Sequence, residues 1–115
     1  MIIRKNSLEP IDFDGLRITD YTANSELGSS LAAIEVPSGV AHPTAFSKRS
    51  DKYYLVVEGE VQFDLDGRVE ALRKGDFCFV RQGTRFSYRN ASASTATLVL
   101  AHTPPFDLSA EVFVA

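Results

Sequence analysis

Two histidines, His42 and His102, are the residues of this sequence best suited to proton transfer or metal binding. Imidazole changes charge near neutral pH and can donate a lone pair to a metal. His42 precedes Pro43, so its simplest interpretation is a half-exposed loop histidine at a pocket mouth. His102 shares the alternation of Leu98 and Leu100, which predicts an inward position, either functional or as a core histidine with satisfied hydrogen bonds. Two histidines alone make a poor metal site unless water or an anion completes it.

A second set of candidates combines aromatic rings with hydroxyl groups. Tyr54, Phe86 and Tyr88 together would line a pocket suited to an apolar or sugar-like small molecule. Core packing is the alternative for all three and is favoured for Phe86, whereas buried tyrosines need hydrogen-bond partners. Arg81, which precedes Gly83 in a loop, is the basic residue best placed to hold an anionic ligand at the mouth of such a pocket.

Regularly spaced turns predict the framework that must position these residues. Between Glu58 and Ser92, turn signals recur about every eight residues, which is typical of an all-β sandwich or barrel. In EVQFDLDG, apolar and polar residues alternate, and Asp66-Gly67 is typical of a two-residue hairpin turn. No stretch has a convincing helical period, so we expect no substantial helix.

Further alternations and apolar runs extend this prediction to most of the chain. RFSYRN places Phe86 and Tyr88 on one face, with basic residues on the other. YYLVV, FCFV and ATLVLA are continuous apolar runs, which suit strands covered on both faces. About eight to ten short strands predict a jelly roll or closed barrel, because closure removes exposed edges. Phe77 and Phe79 share a face that needs a cover, so we expect a homodimer.

The segment GDFCFVRQGTRFSYRN resembles the second sequence motif of the cupin family, G-x5-P-x-G-x2-H-x3-N. Gly75, Gly83 and Asn90 match that motif at the expected spacing. Upstream, DKYYLVVEGEV resembles the end of the first cupin motif, with Gly59 as its closing glycine. The two motif segments span residues 39–59 and 75–90 of a single expected domain, residues 1–115. The resemblance implies an RmlC-like jelly-roll barrel, the double-stranded β-helix of cupins.

The same resemblance implies that the usual cupin metal site has been lost. Phe86 stands at the histidine position of the second motif, and Lys52 stands at the glutamate position of the first. The paired histidines of the family would fall near residues 45–48, which read Ala-Phe-Ser-Lys. Phenylalanine and a protonated lysine have no lone pair for a metal. We therefore expect no metal and no cofactor, and the metal-dependent cupin reactions do not carry over.

Lys52 becomes a candidate site residue through the resemblance. If its strand keeps the family register, Lys52 and Tyr54 face inward, whereas Tyr53 and Leu55 face outward. An enclosed lysine has a lowered pKa and can act as a base or bind an anion. The alternative, which we favour from the sequence, is a position at the rim from which the amine extends into water.

The composition limits the binding partners and the cellular compartment that we expect for this protein. The 12 Lys and Arg against 15 Asp and Glu give a formal net charge of −3, which is unsuited to binding a nucleic-acid backbone. The single cysteine, Cys78, fits a reducing compartment. The first residues do not resemble a signal peptide, and no apolar run is long enough for a membrane span. We expect a cytoplasmic protein that binds neither nucleic acid nor membranes.

These observations favour two classes of function. The first is a binding protein that holds a sugar-like or carboxylate ligand through Tyr54, Tyr88, Lys52 and His102. The second is a metal-independent isomerase, epimerase or cyclase acting on such a substrate, with a histidine or Lys52 as base and a tyrosine as acid. A third, less favoured, keeps a noncanonical metal on His42 and His102. The sequence does not identify the ligand.

Overall fold

The computed structural model describes residues 1–114, which form two antiparallel β-sheets packed against each other. The strands are β1 (Ile11–Phe13), β2 (Leu16–Asp20), β3 (Ser30–Val36), β4 (Ala41–Ser47), β5 (Asp51–Glu58), β6 (Glu60–Leu65), β7 (Arg68–Arg73), β8 (Phe77–Val80), β9 (Phe86–Arg89), β10 (Ala96–Thr103) and β11 (Glu111–Phe113). One sheet has the order β1-β2-β3-β10-β5-β8 and the other has the order β11-β4-β9-β6-β7. The predicted all-β jelly roll is confirmed, with more strands than expected. Within the described residues, the helical segments are two short 3-10 turns, Lys5–Ser7 and Leu108–Ala110.

Glycine turns hold the hairpins where the sequence predicted them. Asp66 and Gly67 have φ angles of 54° and 87°, the positive values that a type I′ turn requires, and they connect β6 to β7. Gly59, with φ of 75°, is constrained more tightly, because a Cβ there would lie 2.8 Å from the Cα of Ala96. The closing glycine of the first motif is therefore required by close backbone approach as well as by its conformation.

The core lies between the sheets and is built from alternate residues of their strands. Val61 and Phe63 of β6 and Phe86 and Tyr88 of β9 are buried, as their alternation predicted. The ring of Phe63 stacks on those of Phe86 and Tyr88 at centroid distances of 6.1 Å and 5.5 Å. Phe86, which occupies the position of a lost metal ligand, is therefore a core residue.

The outer face of β5 and β8 is apolar and open to solvent. Tyr53 and Leu55 are exposed to 39% and 40%, and Phe77 and Phe79 to 57% and 38%. The Tyr53 ring centroid lies 5.1 Å from that of Phe79 and 6.2 Å from that of Phe77. A single chain therefore covers only the inner face of YYLVV and FCFV, and the second subunit expected from the sequence would be needed to cover the outer face.

Candidate functional site

A cavity of about 260 Å³ lies between the two sheets. Its wall is mostly apolar, with aromatic and aliphatic side chains from β1, β2, β3 and the segment after β10. The titratable side chains that reach it are His42, Lys52, Tyr54, Tyr88, His102, Glu111 and Asp20. A water molecule occupies roughly 30 Å³ of the liquid, so the cavity can hold a compact organic molecule. An apolar pocket with a few convergent polar groups is typical of small-molecule sites.

Strand register brings these distant residues together. In the β5–β10 pairing, Lys52 lies opposite His102 and Tyr54 lies opposite Leu100. In the β4–β9 pairing, His42 lies opposite Tyr88. Because alternate residues of a strand share a face, one register places all of these side chains between the sheets. The inward positions predicted for Lys52, Tyr54 and His102 agree with this arrangement.

A buried ion pair connects Lys52 of β5 to Glu111 of β11. The Nζ of Lys52 lies 2.5 Å from Oε1 of Glu111 and 2.8 Å from Nε2 of His102. The side chains of Lys52 and Glu111 are exposed to 3% and 7%. Nζ also lies 5.4 Å from the ring centroid of Phe86, within cation–π range. The rim position favoured from the sequence is therefore wrong, because Glu111 supplies the opposite charge that allows a buried ammonium.

The surroundings of this pair determine its protonation. Burial lowers the pKa of Lys52, and the carboxylate of Glu111 opposes that change. Burial, reinforced by the charge of Lys52, lowers the pKa of His102 to about 3. His102 is then neutral at pH 7 and accepts a hydrogen bond from the Lys52 ammonium. Lys52 is better suited to hold Glu111 in place than to act as a free base.

His42 lies in β4 and contributes to the cavity wall, so its expected position in a loop is wrong. Its Nδ1 lies 2.6 Å from the carbonyl oxygen of Pro43. A carbonyl can only accept, so Nδ1 carries the proton and Nε2 carries the lone pair. The β4–β9 register shifts between His42 and Ala45, a bulge of the kind that redirects side chains next to active sites.

Aromatic rings surround His42 and explain its protonation state. Its ring centroid lies 5.0 Å from that of Phe86, 5.2 Å from Tyr88, 5.7 Å from Phe13 and 6.4 Å from Phe113. Burial in this setting lowers the pKa of His42 to about 4, although the Pro43 carbonyl acts in the opposite direction. The imidazole is therefore neutral at pH 7 and available as a proton acceptor.

The hydroxyl of Tyr88 is buried and has no hydrogen-bond partner in residues 1–114. Tyr54 packs beside it, with ring centroids 5.6 Å apart, but no hydrogen bond of normal geometry joins the two hydroxyls. Burial raises the pKa of both phenols, so both remain protonated and able to donate. An unpaired buried polar group costs about 1–3 kcal/mol. The Tyr88 hydroxyl therefore lacks a hydrogen-bond partner, and a ligand in the cavity can supply one.

Two residues expected at the site do not contribute to the cavity wall. Arg81 follows β8, is exposed, and does not line the cavity. Phe86 lies in the core behind His42 and Lys52, as its packing alternative predicted. The polar part of the wall is therefore made by the two histidines, the two tyrosines, the ion pair, Asp20 and Ser30, without a contribution from Arg81.

Glu111 is a site residue that the sequence did not reveal. It pairs with Ser47 at the edge formed by β4 and β11. The sequence did contain one indication: the acidic Glu111 alternates with Phe113, which also lines the cavity. The strand follows Pro104 and Pro105, which interrupt any ladder, so the sequence alone could not place it in register.

The residues at the usual cupin metal positions do not fit a metal. Lys52 is an ammonium held by a carboxylate, and Phe86 has no donor atom. Residues 1–114 contain no group of three or more His, Cys, Asp or Glu side chains that could hold a metal ion. A metal on Nε2 of His102 would also have to displace its contact with Lys52.

The chain combines a jelly-roll fold with a pocket between its sheets and with altered residues at the metal positions of cupins. The sequence matches the Cupin domain family over residues 32–102, which is more than half of the chain. The chain therefore belongs to the cupin family.

Solved structures share the fold. Pac13, described as a unique nucleoside dehydratase, matches with a TM-score of 0.86 and 23% identity, covering 99% of this chain and 90% of that chain. Streptomyces PAC13 with uridine gives the same values. A predicted oxalate decarboxylase from Thermotoga maritima matches with a TM-score of 0.83 and 16% identity, covering 90% of this chain and 99% of that chain. At these identities the likeness establishes the fold alone.

One curated relative is much longer than this chain. Endoribonuclease YbeY of Myxococcus xanthus is 33% identical over 91 residues, which are 76% of this chain and 30% of that protein. The chain thus spans less than a third of the length of this relative. The match concerns one part of that protein.

Proposed function

We propose that the cavity binds a sugar-bearing small molecule, with a nucleoside as the leading candidate, and catalyses a metal-independent acid–base reaction on it. The observation that carries this proposal is the unpartnered hydroxyl of Tyr88, buried in the same wall as the neutral imidazole of His42. A protonated phenol and a neutral imidazole, with ring centroids 5.2 Å apart, form an acid and a base facing one ligand.

The similar Streptomyces protein supports this substrate class. PAC13 was solved with uridine in variants that replace a histidine by glutamine or a tyrosine by phenylalanine. His42, Tyr54 and Tyr88 supply the same residue types in the present cavity. Dehydration, like isomerisation or epimerisation, needs an acid and a base and can proceed without a metal. Uridine is therefore the first ligand to test.

An elimination at this site would use the two groups in turn. Nε2 of His42 removes a proton from a ring carbon, and the C–H electron pair forms a carbon–carbon double bond. The hydroxyl on the neighbouring carbon leaves as water, taking a proton from Tyr88. The proton on His42 then returns to the Tyr88 phenolate, directly or through water, which restores the site. An isomerisation would use the same pair without loss of the hydroxyl.

The pKa of His42 restricts the substrate further. A base with a pKa of about 4 removes a carbon-bound proton only if that proton is unusually acidic. The substrate must therefore carry an electron-withdrawing group, such as a carbonyl, next to the reacting carbon. Uridine itself is then a binding probe, and a nucleoside oxidised to a carbonyl on its ribose is the expected substrate.

A second candidate is binding without turnover, which the weak basicity of His42 favours. The experiment that separates the two functions incubates the protein with uridine and with carbonyl derivatives of uridine, and follows the mixtures by mass spectrometry. Loss of one water, or an isomer with a new retention time, supports catalysis. Saturable binding of uridine with all derivatives unchanged supports the binding function.

Tyr88→Phe is expected to leave the free energy of unfolding unchanged or raise it by up to about 1 kcal/mol, because it removes a buried hydroxyl without a partner. The same change should weaken uridine binding by about tenfold, the value of one hydrogen bond to the ligand. Chemical unfolding and calorimetric titration measure the two effects. Tyr53→Phe, on the outer face, is the matched control and should change neither. A destabilised Tyr88→Phe with full uridine affinity would contradict this role.

We also propose that the outer face of β5 and β8 packs against the same face of a second copy. The exposed rings of Tyr53, Phe77 and Phe79 form an apolar patch on a sheet, and exposed patches of this kind often mark interfaces. A two-fold dimer needs a surface that complements itself, and an apolar sheet face can satisfy this condition without charge matching. The proposed partner is therefore an identical chain.

Light scattering at micromolar concentration should give twice the chain mass of 12.6 kDa. Phe79→Lys places a charge in the centre of the patch and should yield a monomer that keeps its fold. Val69→Lys is the control, because Val69 is 59% exposed on β7 of the other sheet. A monomeric unmodified protein would refute the dimer.

The compartment, cofactors and partners expected from the sequence are also proposals. We propose a cytoplasmic, cofactor-free protein that binds neither nucleic acid nor membranes, on the basis of its formal net charge of −3 and its single cysteine. Among residues 1–114, no helix is long and apolar enough to cross a membrane.

A further inference from the structure

We infer that the cavity selects uncharged ligands and rejects phosphorylated or carboxylate forms of the same molecule. This inference rests on the proposed function and specifies the charge of its substrate. It follows from the charged side chains of the cavity wall and from their existing partners.

The cavity wall offers no uncommitted positive charge. Its charged side chains are one cation, Lys52, and two acids, Glu111 and Asp20. The ammonium of Lys52 already donates to Glu111 at 2.5 Å and to His102 at 2.8 Å, and it is almost completely buried. Asp20 accepts hydrogen bonds from the backbone and hydroxyl of Thr22 and adds a negative charge.

The two histidines do not change this balance. Burial holds the pKa of His42 near 4 and that of His102 near 3, so neither adds positive charge at neutral pH. Arg81, the residue expected to attract an anion, lies outside the wall. The cavity wall therefore carries a net negative charge at neutral pH.

An anionic group entering this wall would lack a counter-charge. Transfer of an unpaired anion from water into a buried site is strongly unfavourable, even after the surroundings relax. If the anion took Lys52 from Glu111, the Glu111 carboxylate would become the unpaired buried charge. A neutral ligand avoids both penalties, because its carbonyl or hydroxyl oxygens can accept from Tyr88 and its hydroxyl groups can donate to Nε2 of His42.

The charges of the cavity wall favour the sugar-like substrates over the carboxylate substrates that the sequence also suggested. If the precursor is a nucleotide, hydrolysis of its phosphate ester must come before this step. The free nucleoside, or its uncharged oxidised form, is then the molecule that enters the cavity.

Calorimetric titration with matched neutral and anionic ligands tests the inference. The pairs are uridine with uridine 5′-monophosphate, and D-ribose with ribose 5-phosphate. 5′-O-acetyluridine enlarges the same position without adding charge and separates size from charge. We expect uridine to bind at least about 100-fold more tightly than its monophosphate, and the acetyl derivative to bind within about tenfold of uridine.

Each outcome decides between the charge inference and the proposed function. If the monophosphate binds as tightly as uridine, the charge inference fails and the nucleoside proposal stands. If ribose binds but ribose 5-phosphate and both uridine compounds do not, the nucleoside proposal fails and the charge inference holds. If ribose 5-phosphate binds more tightly than ribose, the charge inference fails. If none of these ligands binds, both are overturned.

Asp20→Asn provides an independent test within the cavity wall. Removing this negative charge should improve binding of the monophosphate relative to that of uridine several-fold. Asp12→Asn is the control, because Asp12 is exposed on β1 and does not line the cavity. A selectivity ratio that Asp20→Asn leaves unchanged, together with loss of 5′-O-acetyluridine binding, would show exclusion by size and overturn the inference.

Discussion

Glu111→Ala is expected to lower the free energy of unfolding by about 3–5 kcal/mol, the cost of breaking a buried ion pair by removing one partner. The substitution leaves the ammonium of Lys52 in a site where its side chain is 3% exposed, with only the neutral His102 as a hydrogen-bond acceptor. The protein must then either keep an uncompensated charge or deprotonate the lysine. Urea or guanidinium unfolding of the variant measures the loss directly.

Two further variants show whether the loss comes from the unpaired charge. The double substitution Lys52→Met with Glu111→Leu removes both charges, so it should recover most of the stability. Glu60→Ala breaks an exposed ion pair with Arg73, where the atoms lie 2.8 Å apart and the side chains are 36% and 70% exposed. That pair should contribute no more than about 1 kcal/mol. Equal losses in Glu111→Ala and Glu60→Ala would contradict the importance of the buried pair.

His42→Gln is expected to reduce turnover by about 10³-fold, within the range attributed to general base catalysis. Glutamine retains a polar side chain, but its amide cannot accept a proton from carbon. Uridine affinity should change only several-fold, because binding also depends on the tyrosines and the apolar wall. Steady-state kinetics with a turned-over carbonyl derivative and titration with uridine separate the two effects. Unchanged turnover would exclude His42 as the base.

The pH dependence of turnover by the unmodified protein tests the same assignment. Protonation of His42 removes the base, so kcat/KM should remain level down to about pH 5 and fall as the pH drops through the pKa of about 4. A histidine with an ordinary pKa would lose activity below about pH 6.5. Burial raises the pKa of Tyr88, so the acid should stay protonated well into the alkaline range. An acidic limb centred near pH 6.5 would contradict a buried His42 base.

Folding stability must be followed over the same pH range. The folded-state pKa values of His42 and His102, about 4 and about 3, lie below the ordinary histidine value of 6.5. Below pH 6.5 the unfolded chain therefore binds protons that the folded chain does not, and stability falls as the pH decreases. Circular dichroism at each pH distinguishes loss of the base from loss of the fold.

Local signals explain why most of the fold was predictable. The alternation of β6 and β9 and the Asp66-Gly67 turn depend on neighbouring residues, which a short sequence window contains. Continuous apolar runs were less informative. In β5 and β8, the sequence shows two apolar faces, but it cannot show whether a second face is covered by the same chain or by another.

The site was only partly predictable, because its decisive contacts are long-range. Lys52 was expected inward or at the rim, and the choice depends on Glu111, 59 positions away on a strand that follows two prolines. Pro43 made His42 look like part of a loop because proline has no amide hydrogen for a ladder, and a bulge in β4 accommodates it. Whether Arg81 lines the cavity depends on the direction of the loop after β8, and the charge of the residue does not predict that direction.

The partner of Lys52 comes from the last strand, and this sets an order for assembly. During synthesis, residue 52 leaves the ribosome long before residue 111, so the ammonium cannot be enclosed with its counter-charge until nearly the whole domain is available. Because β11 carries Glu111 and Phe113 of the cavity wall, its docking on β4 would complete the wall and pair the buried lysine in one step. Detachment of that short strand in the finished protein would reverse the step, opening the cavity and returning the lysine to water together.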